Sequence, residues 1–515
     1  LTGEAQHDAT AVEGGHEVAV GDATSQRRER STVEALDRRD EATYRFERIH
    51  RCTLWQAVGM GLYPYSERFP VVRSFPAKGR PRADIVAEIR QMAHEEDSPY
   101  HEGKISGSIY SGDEAHYEFL NEVFGHFGHA NVLQRDMYPS ATRFEGEIIA
   151  MTADMMHGEA TGGTVCGVLT SGGTESLMNP LLVYREWGRE RGITQPNVVL
   201  PSTAHPALHK GAHYFGIEVR VARVDGAQRA DLSHVGELID GNTVALVGSA
   251  GSYPHGVVDP IDGLSALAVQ HGINLHVDGC LGGFILGWAE GCGVRVPTFD
   301  FRLPGVTSIS ADTHKYGFGL KGSSVLLYRD PELRRRQYFM KSDWPGGFYT
   351  SPGMSGSRSG GIIASAWAAM VTLGREGYRA IAADIFSTAA RLVEVVRATP
   401  DLEVLGDPVF NVAFTTSASG GLDIFHVNDH LAAKGWRLNG LQRPSALHFC
   451  VTRPNTLPGV VERFAADLAE GVEHARRSVG RPARSGAVYA AGVTADMARA
   501  GMAGWLDATQ ALPPT

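Results

Sequence analysis

Two residues of this sequence have the type and position of catalytic groups: a lysine and an aspartate, each at or just after the end of an apolar run. Lys315 stands in a glycine-bounded turn directly after the apolar segment 306–309. Partial burial there would lower the pKa of the lysine, because desolvation disfavours the ammonium form, and the neutral amine is the nucleophile that forms Schiff bases. Asp278 ends another apolar run, and a carboxylate enclosed in that position needs a cationic partner. A lysine in solvent and an aspartate that caps the next turn are the non-functional alternatives.

A third motif, Ser171-Gly172-Gly173-Thr174, lies between a predicted strand and a predicted helix. Its two glycines let the backbone approach an anion, and the first free N–H groups of the helix point at that anion. A plain turn capped by Thr174 is the alternative. Together the three pieces offer what pyridoxal phosphate needs: a Schiff-base lysine, a carboxylate for the ring nitrogen and a phosphate cradle.

Two further motifs suggest functions that their context does not support. His205, His209 and His213 recur every four residues, as on one helix face, but no carboxylate or cysteine joins them, and we predict no metal site. His205 is instead predicted to stack on an aromatic ring, and the other two to lie on the helix surface. The segment 317–322 matches G-x-G-x-x-G but precedes a strand, so we expect its glycines to fold the chain around Lys315 and to direct Lys321 inward.

The elements that must position these residues alternate between short β-branched runs and amphipathic helical stretches. This alternation predicts an α/β fold with a parallel or mixed sheet covered on both faces, with ligands beyond the carboxyl ends of its strands. A long helical pattern, 362–375 and then 378–399, leads to a second, smaller α/β module. The predicted strands are 165–169, 197–200, 218–222, 244–248, 273–277, 306–309 and 325–328, then 411–415 and 446–451; the helices include 83–94, 114–128, 144–157, 174–190, 206–215, 259–271, 424–434 and 458–478.

Composition sets broad limits on function. The 515 residues carry 48 basic and 58 acidic side chains, and the net charge of −10 argues against general nucleic-acid affinity. The five cysteines are scattered without metal-ligand spacing, as in a reduced cytoplasmic enzyme. No apolar run is long enough for a membrane helix, and the start of the chain lacks the layout of a signal peptide.

These motifs, with Lys434-Gly-Trp-Arg-Leu-Asn-Gly-Leu-Gln-Arg-Pro444 and Gly356-Ser-Arg358, resemble the group II decarboxylase family of fold-type I pyridoxal-phosphate enzymes. Within the family they are most similar to the lyases that cleave sphingoid base 1-phosphates. The resemblance implies a transferase-like fold: a large, mostly parallel seven-stranded sheet domain plus a small C-terminal α/β domain. We expect a mobile arm at 1–50, a helical segment at 51–150 that contributes to the active site and the dimer, a cofactor domain at 151–375 and a small domain at 376–515.

The resemblance also implies residue roles. Lys315 would hold pyridoxal 5'-phosphate and Asp278 would pair with its ring nitrogen. On the substrate side, Gln134 stands where bacterial members of the family usually have histidine, and a glutamine cannot carry charge. The other implied cofactor residues are Gly173, Thr174, His205, His314 and Ser357 (the last from the other subunit of a homodimer), and the other implied substrate residues are Tyr110, Asn131, Lys321 and Tyr489.

The activity implied is a retro-aldol cleavage of sphingosine or sphinganine 1-phosphate to a long-chain aldehyde and phosphoethanolamine. Candidate bases for the hydroxyl proton are Tyr110, Lys321 and the freed Lys315, which the sequence does not rank. The alternatives are an L-amino-acid decarboxylase with the same cofactor and a scaffold protein on an inactive enzyme fold. We expect a soluble, cytoplasmic protein without a transmembrane segment.

Overall fold

A computed structural model of the chain describes residues 64–417, 420–488, 499, 501–504 and 506–507. These residues fall into two compact units, and the larger, Lys78–Ala491, contains every element discussed below. None of the helices within the described ranges is both long and apolar enough to cross a membrane.

Seven strands form one mixed sheet in the order β1-β7-β6-β5-β4-β2-β3. The neighbours from β6 to β3 are parallel, and β7 runs antiparallel to both β1 and β6. Every residue of β4 and β5 is buried, as expected of a sheet covered on both faces. The predicted α/β sheet is therefore confirmed. The strands are β1 (Cys166–Thr170), β2 (Asn197–Pro201), β3 (Glu218–Ala222), β4 (Thr243–Ser249), β5 (Asn274–Asp278), β6 (Ser308–Ala311) and β7 (Ser324–Tyr328).

Helices cover the two faces of this sheet. Successive side chains of a strand point to opposite faces, and in β2 Val199 joins one core cluster while Val198 and Leu200 join the other. The helices of the described ranges are α1 (Arg82–His101), α2 (Glu114–Phe127), α3 (Pro139–Met155), α4 (Gly173–Arg189), α5 (Pro206–Phe215), α6 (Leu232–Leu238), α7 (Ile261–His271), α8 (Gly283–Leu286), α9 (Pro331–Arg335), α10 (Gly360–Ala398), α11 (Ile424–Ala433), α12 (Val460–Arg477) and α13 (Arg484–Val488), with 3-10 turns at Gly158–Thr161, Glu290–Cys292 and Arg453–Thr456.

Helix α10 is interrupted near its middle, close to the predicted break between 375 and 378. Gly374 has φ 57°, a left-handed conformation that glycine adopts without steric cost. Before this point α10 packs on α2, where Ser365 Oγ donates to the Leu120 carbonyl at 3.0 Å. The N-terminal helices are in this way fixed to the helix that leads to the second sheet.

A second, antiparallel sheet follows α10 in the order β10-β11-β13-β12. One face packs on α12 through edge-to-face aromatic contacts to Phe464, whose ring centroid lies 5.1 Å from that of Trp436 and 5.1 Å from that of Phe449. Such contacts favour one packing arrangement over others. The strands are β10 (Leu402–Val404), β11 (Asn411–Thr416), β12 (Asn439–Gln442) and β13 (Ser445–Cys450).

The main difference from the sequence prediction is a hairpin of β8 (Phe339–Trp344) and β9 (Gly347–Ser351), neither of which is among the predicted strands. All six residues of β8 are exposed, so the strand has no alternation of buried and exposed positions that a sequence pattern could show. Strands β10 and β12 were also not predicted, and α1 ends at His101 rather than at residue 94.

Candidate active site

The loops that follow β1, β2, β4, β5 and β6 lie at one edge of the large sheet, where its parallel strands end. Ligands of α/β sheets bind at this edge. A cavity of about 170 Å³ lies there and contains three predicted site residues, Lys315, Lys321 and Tyr110. Its other lining residues are Ser106, Gly107, Ser108, Tyr253, Leu281, Asn439, His448 and Cys450.

The predicted phosphate cradle is the turn into α4. Gly172 precedes the helix with φ 147°, a conformation open to glycine, and Gly173 begins it. A Cβ atom on Gly173 would lie 2.7 Å from Asp312 Oδ2, so only glycine fits there. Glu175 was not predicted: its Oε2 accepts hydrogen bonds from the backbone N–H and hydroxyl of Ser171, at 2.8 and 2.7 Å, and fixes the turn. Because Thr174 makes no side-chain cap, the N–H groups of this helix end remain available to an anion.

Lys315 forms a buried ion pair with Asp312, with Nζ and Oδ2 2.9 Å apart. Burial by itself would lower the pKa of Lys315, but the Asp312 carboxylate, helped by Cys280 and Tyr110, raises it above its ordinary value. The prediction of a lowered lysine pKa was therefore wrong for the protein without cofactor. Asp312, 1% exposed, keeps a lowered pKa although burial opposes ionisation, because Lys315 and His314 stabilise its charge.

Asp278 and His205 reach the same edge from β5 and from the start of α5. Asp278 is buried as predicted, and its Oδ1 accepts from the Cys280 backbone N–H at 3.0 Å. His205 Nδ1 accepts from the Ala207 backbone N–H at 3.2 Å, so the ring itself caps α5. Burial lowers the pKa of His205 against the opposing charge of Asp278, which favours the neutral ring. His209 and His213 lie on the exposed face of α5, as predicted.

His314 lies beside the cradle. Its Nδ1 donates to the Ser323 carbonyl at 2.6 Å, and Nε2 lies 3.5 Å from Asp312 Oδ2. Burial lowers the pKa of His314, with Asp312 opposing. A Cβ atom on Gly172 would lie 3.4 Å from its ring, so the imidazole flanks the turn into α4.

Tyr110 and Lys321 contact each other in the cavity. Nζ of Lys321 lies 4.7 Å from the centre of the Tyr110 ring, which is a cation–π contact. Burial raises the pKa of the Tyr110 phenol far above its ordinary range. Lys321 is exposed as a whole, but burial of its amine and the charge of Lys315 lower its pKa to about 8. The backbone between Lys315 and Lys321 turns tightly at Gly317. Only glycine fits at this position, because a Cβ there would lie 2.5 Å from the Thr313 carbonyl oxygen.

One wall of the cavity comes from the second sheet. The sequence analysis predicted no site residue in this sheet. His448 and Cys450 belong to β13 and Asn439 to β12. Asn439 Nδ2 donates to Ser106 Oγ at 3.1 Å, and Ser106 Oγ in turn accepts from the Cys450 backbone N–H at 2.9 Å. These bonds fix the segment that carries Tyr110 against the second sheet.

Asn131 and Ser357 contact each other but do not line the cavity that holds Lys315. Asn131 Nδ2 donates to Ser357 Oγ at 2.9 Å. Gln134 lies nearby and is exposed, and its backbone N–H donates to the Asn131 carbonyl at 3.0 Å. The structure thus separates the predicted site residues into two groups.

The segment that carries Ser357 is fixed by its neighbour Arg358, whose Nη1 donates to Glu145 Oε1 at 2.7 Å. Glu145 is buried and also accepts from Arg135 at 3.0 Å. Burial opposes the ionised form of Glu145, yet the hydrogen bond and charge of Arg358 give it a lowered pKa. Nothing in the sequence marks this pair, since its members are more than 200 positions apart.

Tyr489 lies outside the described residues. Within the part of the chain that the structure describes, no three His, Cys, Asp or Glu side chains are grouped to hold a metal ion.

The comparison with known proteins assigns this fold and site to a family. Residues 73–417 match the pyridoxal-dependent decarboxylase conserved domain, and the chain belongs to that family. More particularly, it is similar to the sphingosine-1-phosphate lyase of Arabidopsis thaliana, with 43% identity over 385 residues that cover 74% of this chain and 70% of that protein. The sphingosine-1-phosphate lyase of Drosophila melanogaster is 39% identical over 411 residues, which cover 79% of this chain and 74% of that protein.

Solved structures agree with this placement. A structure of the sphingosine-1-phosphate lyase of Burkholderia pseudomallei superposes with a TM-score of 0.82 at 51% identity, over 88% of this chain and 100% of that one. A glutamate decarboxylase of Lactobacillus brevis shares the fold, with a TM-score of 0.69, 20% identity and coverage of 82% and 99%. The predicted family and fold class are confirmed.

The cofactor of this family is pyridoxal phosphate, and the residues present fit it. Gly172 and Gly173 form an uncapped helix N-terminus whose free backbone N–H groups no Cβ atom shields, as a phosphate requires. Asp278 supplies a buried carboxylate for a protonated ring nitrogen, and Lys315 supplies the amine at the same sheet edge. The predicted cofactor is confirmed by the family.

Proposed function

We propose that this protein cleaves sphingoid base 1-phosphates, such as sphinganine 1-phosphate, into a long-chain aldehyde and phosphoethanolamine. The observation that carries the proposal is the similarity to sphingosine-1-phosphate lyases, at 38–51% identity over at least 74% of the chain in the relatives from Arabidopsis, yeast and Burkholderia. The glutamate decarboxylase of Lactobacillus brevis and two further solved structures that share the fold are only 16–20% identical.

The residues around Lys315 would hold the cofactor. Gly173, Thr174 and His314 would bind its phosphate, Asp278 would keep its ring nitrogen protonated, and His205 would lie against its ring. Bound pyridoxal phosphate would supply a sink for the electron pair that is left when the bond beside the substrate amine breaks.

Lys321 and Tyr110 are proposed to bind the substrate phosphate. The amine of Lys321 has a pKa of about 8 and is mainly an ammonium ion at neutral pH, so it attracts a dianionic phosphate. The raised pKa of Tyr110 keeps its hydroxyl protonated, so the phenol is a hydrogen-bond donor and cannot serve as a base.

Asn131, Gln134 and Ser357 are proposed to act in the site of a second subunit, in a homodimer. The support is that Asn131 and Ser357 bond to each other at 2.9 Å but lie outside the lining of the cavity in their own chain. Gln134 would offer the substrate a neutral hydrogen bond there. Tyr489 is proposed to complete the phosphate side. We further propose that the enzyme acts in the cytoplasm.

Product analysis tests this function directly. The purified protein, loaded with pyridoxal phosphate, should release hexadecanal and phosphoethanolamine from sphinganine 1-phosphate, and Lys315→Ala should release neither. Carbon dioxide from glutamate, tyrosine or tryptophan, without aldehyde from the lipid, would instead indicate the amino-acid decarboxylase activity and overturn the proposal.

A further inference from the structure

We propose that the imidazole of His448 accepts the proton of the substrate hydroxyl group when the carbon–carbon bond breaks. This inference rests on the proposed function and adds a catalytic residue to it. Nothing in the sequence motifs assigns a role to His448, which reaches the cavity from the second sheet.

His448 is buried, with 1% of its surface exposed, and lines the same cavity as Lys315, Lys321 and Tyr110. It lies on β13 opposite Asn439 of β12. Its ring packs edge-on against Tyr253, with ring centroids 5.0 Å apart. The position and orientation of the imidazole are therefore fixed by its own strand and by the loop after β4.

One ring nitrogen of His448 is already in use. Nδ1 lies 3.0 Å from the carbonyl oxygen of Pro254, which can only accept, so Nδ1 carries the hydrogen. Burial lowers the pKa of His448 to about 4, against the opposing effect of the Pro254 and Tyr253 carbonyls, and the ring is neutral at physiological pH. The lone pair of a neutral ring with hydrogen on Nδ1 is on Nε2.

Nε2 of His448 is buried and has no hydrogen-bond partner among the described residues. A buried acceptor without a partner is costly, so a donor from a bound ligand is favoured at this position. The two lysines of the cavity already have partners: Lys315 is paired with Asp312, and Lys321 donates to the His314 carbonyl at 3.3 Å. His448 is therefore a suitable acceptor that the three predicted bases did not include.

The substrate has one donor that fits. Its phosphate is ionised and accepts hydrogen bonds, and its amine would be taken up by the cofactor, so the hydroxyl on the neighbouring carbon is the remaining donor. In the cleavage step the O–H bond breaks and its proton passes to Nε2. The C–O bond becomes the aldehyde carbonyl, and the electron pair of the broken carbon–carbon bond stays on the amine-bearing carbon. That carbon then takes up a proton, and His448 loses its own to solvent as the products leave. Negative charge from the bound phosphate raises the pKa of a nearby imidazole, which strengthens the base.

Two substitutions separate this role from a structural one. His448→Asn keeps an amide N–H where Nδ1 donates to Pro254 but has no atom at the position of Nε2, and His448→Gln places a polar group near Nε2. In His448→Asn, kcat should fall by a factor of about 10² to 10⁴, the usual contribution of a general base. Relative to His448→Asn, the His448→Gln variant should recover substrate binding but little of kcat. His426→Asn is the matched control, since His426 is a buried histidine outside the cavity lining, and its Nε2 donates to the Arg481 carbonyl at 2.9 Å.

The decisive measurement uses 3-deoxysphinganine 1-phosphate, which lacks the hydroxyl group, as a competitive inhibitor of the cofactor-loaded enzyme. The wild type and His448→Asn should bind it within about twofold of each other, because there is no hydroxyl to accept from. Weaker binding of this analogue in step with the loss of kcat would show a structural role and overturn the inference, as would full activity of His448→Asn. If the wild type releases no aldehyde from sphinganine 1-phosphate, the proposed function fails first and the inference fails with it.

Discussion

Replacing Asp312 by asparagine should sharply lower the pKa of Lys315 in the cofactor-free protein. The charges of the pair are 2.9 Å apart, and at an effective dielectric constant of about 20 their attraction is ~6 kcal/mol. At about 1.36 kcal/mol per pKa unit this equals roughly four units. Asparagine keeps the shape of the side chain but removes the charge, so only burial and the remaining neighbours act on the amine. We expect its pKa to fall from above the ordinary lysine value to that value or below it.

Competitive labelling of the cofactor-free protein with acetic anhydride measures this change. Only the neutral amine reacts, so the labelling rate of Lys315 from pH 6 to 11, read by mass spectrometry against the exposed Lys78, gives its titration. Asp262→Asn, at an exposed position on α7, is the control for the loss of one negative charge. Identical titration curves for Lys315 in the wild type and in Asp312→Asn would refute the reasoning, since the raised pKa would then have another cause.

Three further predictions concern substrate binding, folding and cofactor binding. Below about pH 8 the Lys321 amine is charged, so kcat/KM should decline as the pH rises through about 8 and the ammonium is lost. Arg358→Met leaves the buried carboxylate of Glu145 without its main partner and should lower the free energy of unfolding by about 3 kcal/mol, as measured by urea denaturation. Gly173→Ala places a Cβ 2.7 Å from Asp312 Oδ2 and should weaken pyridoxal phosphate binding at least tenfold, as measured by absorbance titration.

Matched variants decide each of these outcomes. Lys321→Arg keeps its charge at high pH, so its kcat/KM should lack the decline; an increase with pH in the wild type would instead make Lys321 a base. Arg143→Met removes an exposed helical ion pair and should cost at most about 0.5 kcal/mol. Gly146→Ala adds a methyl group to open space on α3 and should leave cofactor binding unchanged. Equal effects in a variant and its control would contradict the corresponding argument.

The fold was largely predictable because the strands of the large sheet are short runs of apolar residues that helices separate. Segments 218–222 and 206–215 were predicted with the bounds that the structure has. The direction of β7 was not predictable, since an antiparallel and a parallel buried strand have the same apolar pattern. Strand β8 of the hairpin has no burial pattern, since all six of its residues are exposed.

The site was predictable where one strand end supplies the residue. The sheet brings three predicted residues to one edge because each lies at or shortly after the end of a strand. These residues are Gly173, Asp278 and Lys315. The direction of the pKa shift of Lys315 was not predictable, because it depends on the position of the Asp312 carboxylate, which the turn brings to 2.9 Å from the amine. His448 approaches from the other sheet, and only the tertiary contacts place it in the cavity.

Because β7 runs back beside β6, the chain passes the catalytic edge twice within a single connection, residues 312–323. Lys315, proposed to anchor the cofactor, and Lys321, proposed to bind the substrate, therefore lie on one short reversal of the backbone, six positions apart. Their separation is set by the length of that connection rather than by the packing of distant elements. Inserting or deleting one residue between them would therefore shift one lysine relative to the other, whereas exchanging side chains within the connection would keep their separation.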